Sequence, residues 1–206
     1  MSEKFALTKN AVFWTIQGEA HLRGFQMCFL RLAGCSVNCP ECDTDYSRDS
    51  LATAKEIAEM IDNEIPAAVS DRWVWITGGE PADQPQAKMR ELLSAIRDKQ
   101  CRIAVATSGV KPFIPPVDWL SVSPHSSGKL AQPYGNEIKL VFGLNGLDVN
   151  LFLKNNSEIR FMYQYVQPLS IQGIESRRYI ADCMLFLHDH PNWSLSRQDH
   201  HYWGLP

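Results

Sequence analysis

The chain has 206 residues, 45% of them hydrophobic, and a formal net charge of -3. That length supports one sizeable core and falls short of the about 250 residues of a full eight-stranded α/β barrel. The charge and the lack of a Lys/Arg stripe give no footprint for direct nucleic-acid binding. The absence of a signal peptide or of an apolar run near about 20 residues points to a cytoplasmic chain without a membrane span.

The predicted elements alternate between strands and helices. Gln26–Leu32 is apolar and bounded by glycines, which reads as a strand. It delivers the chain to Cys35, Cys39 and Cys42, spaced C-x3-C-x2-C. Three close thiolates can hold three irons of a [4Fe–4S] cluster and leave the fourth iron open to a ligand. The alternatives are a zinc site completed by a distant residue such as Cys28 or His21, or cysteines without a metal. Thr53–Ile65 reads as a helix with Ala54, Ile57, Ala58, Met60 and Ile61 on its inner stripe. A buried strand over Arg72–Thr77 then runs into Gly78-Gly79-Glu80-Pro81, where glycines let backbone approach a ligand. A simple strand-to-helix turn is the competing explanation.

A second helix spans about Gln84–Lys99, and Arg102–Ala106 is a short strand opening into Thr107-Ser108-Gly109. Val117–Val122 is a further strand ending at Ser123-Pro124-His125. Ser126–Gly135 is polar and aperiodic, either a mobile loop over the site or a plain surface loop. Strands follow at Glu137–Phe142 and Ile159–Val166, with a short helix near Leu147–Lys154 and a last helix over Ile174–His190. Such alternation predicts a parallel α/β sheet in a single domain over residues 1–206, with its ligands collected on one rim. Cys28, Cys101 and Cys183 read as small core residues, and Trp193, Tyr202 and Trp203 as packing for the C-terminal region.

The cysteine triplet followed by G-G-E-P resembles the radical S-adenosylmethionine (SAM) superfamily. The ordered set IQGE, RLAGC, CDT, ITGGEP, TSG, VSP, VQP and WSLSRQDH, from about Phe13 to Pro206, is similar to the 7-carboxy-7-deazaguanine synthase family. That resemblance implies an abbreviated radical SAM barrel of about six parallel strands with few helices. It also implies a homodimer, and an electron donor such as flavodoxin or ferredoxin. The implied reaction turns 6-carboxy-5,6,7,8-tetrahydropterin into 7-carboxy-7-deazaguanine with loss of ammonia, in queuosine-type 7-deazapurine biosynthesis. A glycyl-radical-activase-like SAM enzyme and a non-enzymatic iron–sulfur electron carrier are the rival classes.

Carried onto this chain, the resemblance implies a [4Fe–4S] cluster on Cys35, Cys39 and Cys42. SAM would lie against Glu41, Asp43, Gly79, Glu80, Ser108, Ser123, Pro124, His125, Gln167, Pro168, Leu169 and Ser170. The pterin would meet Ile16, Gln17, Gly18, Glu19, Arg31, Thr77, His200 and Pro206, and Mg2+ would take Thr44. Arg31 suits a substrate carboxylate because its planar fork grips both oxygens, though a structural ion pair would also explain it. Glu19 suits the amino-imine edge of a pterin, with a solvated loop acid as its bland alternative. His200 has an ordinary surface histidine as its alternative, Ser108 a turn former, and Asp43-Thr44 a loop cap. Ala20 and His125 depart from the family's usual glycine and lysine, and Glu41 from the aromatic residue common in the superfamily.

Overall fold

The computed structural model describes residues 3–42, 44–171 and 173–205. Its strands are β1 (Lys4–Ile16), β2 (Gln26–Leu32), β3 (Ser50–Thr53), β4 (Trp73–Gly78), β5 (Arg102–Thr107), β6 (Trp119–Val122), β7 (Tyr134–Phe142), β8 (Arg160–Pro168), β9 (Ser170–Ile171), β10 (Ile174–Glu175) and β11 (Ser194–Leu195). The helices are α1 (Ala54–Glu64), α2 (Gln86–Arg97), α3 (Val149–Asn155), α4 (Arg177–Asp189) and α5 (Asp199–Trp203). One sheet runs in the order β11-β8-β7-β6-β5-β4-β2-β1-β3. The run from β2 to β11 is parallel, whereas β1 pairs antiparallel with both β2 and β3. The sheet stays open, with β3 and β11 at its edges. The expected partial α/β barrel with few helices is therefore the architecture found. Among the described residues, no helix is long and apolar enough to cross a membrane.

Alternation along the strands divides the interior in two. Val74 and Ile76 of β4, Ile103 and Val105 of β5, and Ile138 and Leu140 of β7 enter the main core. Met89, Leu92, Leu93 and Ile96 of α2 pack there, beside Ile57 and Ile61 of α1. Trp73 and Trp75 point to the opposite face, into a smaller cluster with Leu22, Met27 and Ala104. A capping box starts α1: the Glu56 N–H donates to the Thr53 hydroxyl at 3.3 Å, and the Thr53 N–H to Glu56 Oε2 at 2.7 Å.

The segment between β1 and β2 folds back over the inner face. His21 stacks on Tyr163 at 3.7 Å and on Trp119 at 5.0 Å between ring centroids. Its backbone N–H donates to Glu137 Oε2 at 3.1 Å. Glu137 is 1% exposed; burial pushes its carboxyl above the ordinary range, against the opposing pull of Ser121, the His21 N–H and Lys139. Burial likewise lowers the His21 imidazole.

Several expectations need correction. The 13-residue strand β1 escaped notice because its register shifts between Leu7 and Val12, around polar Thr8, Lys9 and Asn10. Helix α2 begins at Gln86, since Pro81–Asp83 forms a short 3-10 turn and Pro85 precedes the helix. Met60 of α1 is 41% exposed, outside the buried stripe. The last long helix starts at Arg177, because Ile174–Glu175 pairs back with Ser170–Ile171, and a further helix, α5, follows it. Residues 126–133 form a surface loop anchored to the fold: Gln132 is fully buried and accepts the Phe113 N–H at 2.9 Å, and the Leu130 N–H donates to Asn156 at 2.7 Å. Tyr134 and Gly135 already belong to β7. Cys28, Cys101 and Cys183 are buried as expected, and Trp193 packs on the core. Tyr202 is 80% exposed and Trp203 40%, so α5 turns both outward.

Two measurements test this frame. A Cβ on Gly79 would stand 1.8 Å from the Gly34 carbonyl oxygen, which is backbone and cannot rotate away. Gly79→Ala should lower the melting temperature by about 5 °C or more. Glu137 keeps its proton when folded across a pH window in which the unfolded chain releases it. Its contribution is full below the ordinary glutamate range and is lost as pH rises through the folded value. Glu137→Gln should therefore gain in melting temperature relative to the parent as pH is raised from about 5 to about 8.

Candidate active site

The carboxyl ends of the parallel strands meet at two adjoining cavities. Past β2, the Gly34 carbonyl accepts the Glu80 N–H at 3.0 Å and the Leu32 carbonyl accepts the Gly79 N–H at 2.6 Å. Gly78, at φ 96°, makes the turn that lets these backbones touch. Asp83 clasps the cysteine loop from the same turn, accepting the Ser36 N–H at 2.7 Å and its hydroxyl at 2.9 Å. Burial alone would raise the Asp83 carboxyl, but Lys111 at 2.6 Å and Ser36 hold it below the usual range.

Glu80 locks the neighbouring strand. It is 3% exposed, and its carboxylate accepts the Ala82 N–H at 2.9 Å, the Thr107 hydroxyl at 2.5 Å, the Ser108 N–H at 2.8 Å and the Ser108 hydroxyl. The G-G-E-P turn and the T-S-G turn thus form one rigid unit.

The larger cavity, about 220 Å³, is lined by all three triplet cysteines and by Glu41, Thr44, Thr77, Gly79, Glu80, Ser108, Ser123, His125, Gln167, Leu169 and Ser170. Cys39 is buried, Cys35 half-buried and Cys42 exposed. Burial, then the charges of Cys42 and Cys35, push the Cys39 thiol up to about 11. Its sulfur lies 2.8 Å from His125 Nδ1. Glu41 accepts the Asn145 N–H at 3.3 Å, while the Asn145 side chain donates to the His125 carbonyl at 3.1 Å. Pro124 and Pro168 are buried beside the rim and line neither cavity.

The smaller cavity, about 130 Å³, is lined by Ile16, Gln17, Gly18, Glu19, Arg31, Thr44, Thr77 and His200, with Phe29 and Trp75. Glu19, Thr44, Trp75 and Thr77 belong to both cavities. Arg31 holds its guanidinium over the Phe13 ring at 4.7 Å. Gly18 sits against α5: its carbonyl accepts the Asp199 N–H at 3.1 Å, and a Cβ there would meet the His200 backbone at 2.5 Å. Every expected pterin residue within the described range therefore gathers in one place. Asp43 and Pro206 lie outside the described residues.

Glu19 is no solvated loop acid. It forms an ion pair with Lys139, and its Oε1 accepts the Gln167 amide at 3.0 Å. Burial raises its carboxyl, but Lys139, His200 and Gln167 outweigh that and leave it below the ordinary range. Sequence reasoning missed Lys139 and Trp75 as cavity residues. A signal for Lys139 was present, since Glu137 and Lys139 alternate with Ile138 and Leu140 along one strand.

The three cysteines reach one cavity, which suits a multi-iron cluster. A cluster takes its thiolates on separate irons, and three cysteines lining one cavity are the donor set it needs.

Comparison with known proteins agrees with this geometry. A family model described as a 4Fe-4S single cluster domain matches residues 17–111. The 7-carboxy-7-deazaguanine synthase of Bordetella pertussis is 31% identical, covering 98% of this chain and 100% of that protein. The one from Caulobacter vibrioides is 31% identical over 95% and 97% of the two chains. The crystal structure of QueE from Escherichia coli shares the fold, with a TM-score of 0.72 at 22% identity, over 95% and 94% of the chains. With relatives this similar over nearly the full chain, and with the cysteine triplet at the mouth of a partial barrel, the protein belongs to the 7-carboxy-7-deazaguanine synthase family.

Proposed function

We propose that the chain converts 6-carboxy-5,6,7,8-tetrahydropterin to 7-carboxy-7-deazaguanine with loss of ammonia, as a radical SAM enzyme of 7-deazapurine (queuosine-type) biosynthesis. The observation that carries this reading is the pairing of a cysteine-lined cavity with a second one lined by Gln17, Glu19, Arg31 and His200. When bound, the cluster supplies the electron that cleaves SAM, and its ligands are Cys35, Cys39 and Cys42.

The remaining work belongs to the chain's own residues. Gly79, Ser108, Ser123, His125 and the Gln167–Ser170 turn hold SAM, and Glu80 keeps Ser108 in place. Glu41, Pro124 and Pro168 shape the rim around it. Arg31 grips the pterin carboxylate in a bidentate pair, and Glu19 accepts N–H groups from the opposite edge. Ile16, Gly18 and Thr77 complete the pterin contacts. Trp75 and the His21 stack keep water from the inner face. Thr44 borders both cavities, so a Mg2+ on its hydroxyl would contact the substrate and keep waters as its other ligands. Residues 1–206 act as one domain, within a cytoplasmic homodimer that takes electrons from a flavodoxin- or ferredoxin-type donor.

Anaerobic reconstitution, followed by mass identification of the product formed from the pterin and SAM, tests the reading. SAM cleavage without a deazapurine product would overturn it. Cys35→Ala, Cys39→Ala and Cys42→Ala should each abolish both cluster absorbance and turnover, whereas Cys28→Ala, buried in the helix-side core, should keep both. Thr44→Ala should flatten the Mg2+ dependence of product formation and leave the cluster absorbance intact. An unchanged Mg2+ response in that variant would place the metal elsewhere.

A further inference from the structure

We propose that Lys139 is the positioning and specificity residue of the pterin cavity: it holds Glu19 in one orientation and makes it an obligate hydrogen-bond acceptor. The inference rests on the pterin reading above and extends it to a residue 120 positions from Glu19 in the sequence.

Lys139 points inward from β7 and lines the larger cavity, while Glu19 stands where the two cavities meet. Both side chains are largely buried, at 12% and 17% exposed, so their ion pair is poorly screened by water. The contacts around Glu19 form a closed circuit. Lys139 takes Oε2 and the Gln167 amide takes Oε1 at 3.0 Å. The Gln167 carbonyl oxygen then accepts the Ser196 hydroxyl at 2.7 Å, and that hydroxyl accepts the Ala20 N–H at 2.9 Å. The side chain and the following backbone amide of the same loop are thus fixed from β7, β8 and the segment after β11. Each carboxylate oxygen retains a further lone pair for an incoming N–H.

Charge gives this geometry its chemical meaning. The ionisable groups acting on Glu19 are Lys139 and Glu137 from β7 and His200 from α5. Lys139 is the charge that acts most strongly on Glu19 and keeps it ionised despite burial. An ionised carboxylate only accepts, and therefore selects a substrate edge that presents adjacent N–H donors, as the 2-amino-pyrimidinone edge of a pterin does. A 2-oxo analogue of the lumazine type turns a carbonyl toward the same carboxylate and is rejected. Without Lys139, burial lifts the Glu19 carboxyl, which then carries a proton and accommodates the carbonyl.

The test compares the reconstituted wild-type holoenzyme with Lys139→Met, Lys139→Gln, Glu19→Gln and the Lys139→Met/Glu19→Gln double variant. Each is assayed with 6-carboxy-tetrahydropterin and with its 2-oxo analogue over pH 6 to 9. Removing Lys139 should raise the pterin KM by about 30-fold or more, as for a broken buried charge pair, with a smaller change in kcat. It should also narrow the preference for the amino over the oxo substrate, and kcat/KM should gain an acid limb, falling as pH is lowered through the raised Glu19 value. The double variant should be no worse than Glu19→Gln alone, because one residue acts through the other. Multiplicative losses in the double variant overturn the proposal, as does a loss confined to SAM affinity. If Lys139→Met fails to hold its cluster, Lys139→Gln gives the same ratio and pH profile. Wild-type turnover with unchanged specificity in the variants overturns the role of Lys139 alone. No deazapurine from the wild type overturns the pterin reading and this inference with it.

Discussion

The structure hangs on Glu80, whose backbone and side chain reach in different directions. Its N–H binds the Gly34 carbonyl before the first cysteine, and its buried carboxylate gathers the amide and hydroxyl of Ser108 with the hydroxyl of Thr107. The ends of β2, β4 and β5 are thereby held in one arrangement. A buried carboxylate is costly unless its lone pairs are used, and here two hydroxyls and two amides use them. Gly79 allows the contact, since any side chain there would collide with Gly34. The cysteine loop is held in place from the next strand, before any cofactor arrives.

The two faces of the sheet carry different burdens. Toward the helices the strands present aliphatic residues, and α1, α2, α3 and α4 bury them in one continuous core. Toward the inside they present Trp75, Thr77, Ser121, Glu137 and Lys139, and the cover is a loop instead of a helix. Such a face buries a smaller apolar cluster and must also satisfy its polar groups by pairing. Glu137 does so by accepting the His21 N–H, and Lys139 by pairing with Glu19. Two residues on one strand therefore fasten the loop that carries Gln17, Gly18 and Glu19. Stability on that side and the shape of the substrate cavity have a common source.

Much of this was legible in the residues. The parallel strands announced themselves as short apolar runs, and α2 as a clean stripe, because each buries a face of uniform character. The site motifs were readable because each follows a strand, and the carboxyl ends of parallel strands converge. What escaped depends on long-range partners. Strand β1 is broken by a register shift that only its pairing with β2 and β3 explains. The polar stretch before β7 could be read as a mobile loop or a plain surface loop, and only the contacts of Gln132 and Leu130 with Phe113 and Asn156 show how it is anchored. Glu19 read as a ligand for a pterin edge, but its partner lies 120 residues away, beyond any local pattern. The same limit applied to Glu80, which read as part of a SAM turn while most of its bonding capacity serves Thr107 and Ser108.

Strand register ties the two cavities together. Arg31 of β2 pairs across from Thr77 of β4, and Phe29 from Trp75. Arg31 and Phe29 line the smaller cavity, whereas Trp75 and Thr77 border both. One residue beyond Thr77 the strand reaches Gly78, where the backbone turns to meet the cysteine loop. A slip of one position between β2 and β4 would send Trp75 and Thr77 into the helix-side core and bring Val74 and Ile76 inward. Such a slip is opposed on both faces at once, by the aliphatic core on one and by the backbone bonds from Gly79 and Glu80 to Leu32 and Gly34 on the other. The distance between the cysteine-lined cavity and its neighbour is therefore set by the pleat of a single strand, with Thr44 entering from the cysteine loop to close the boundary between them.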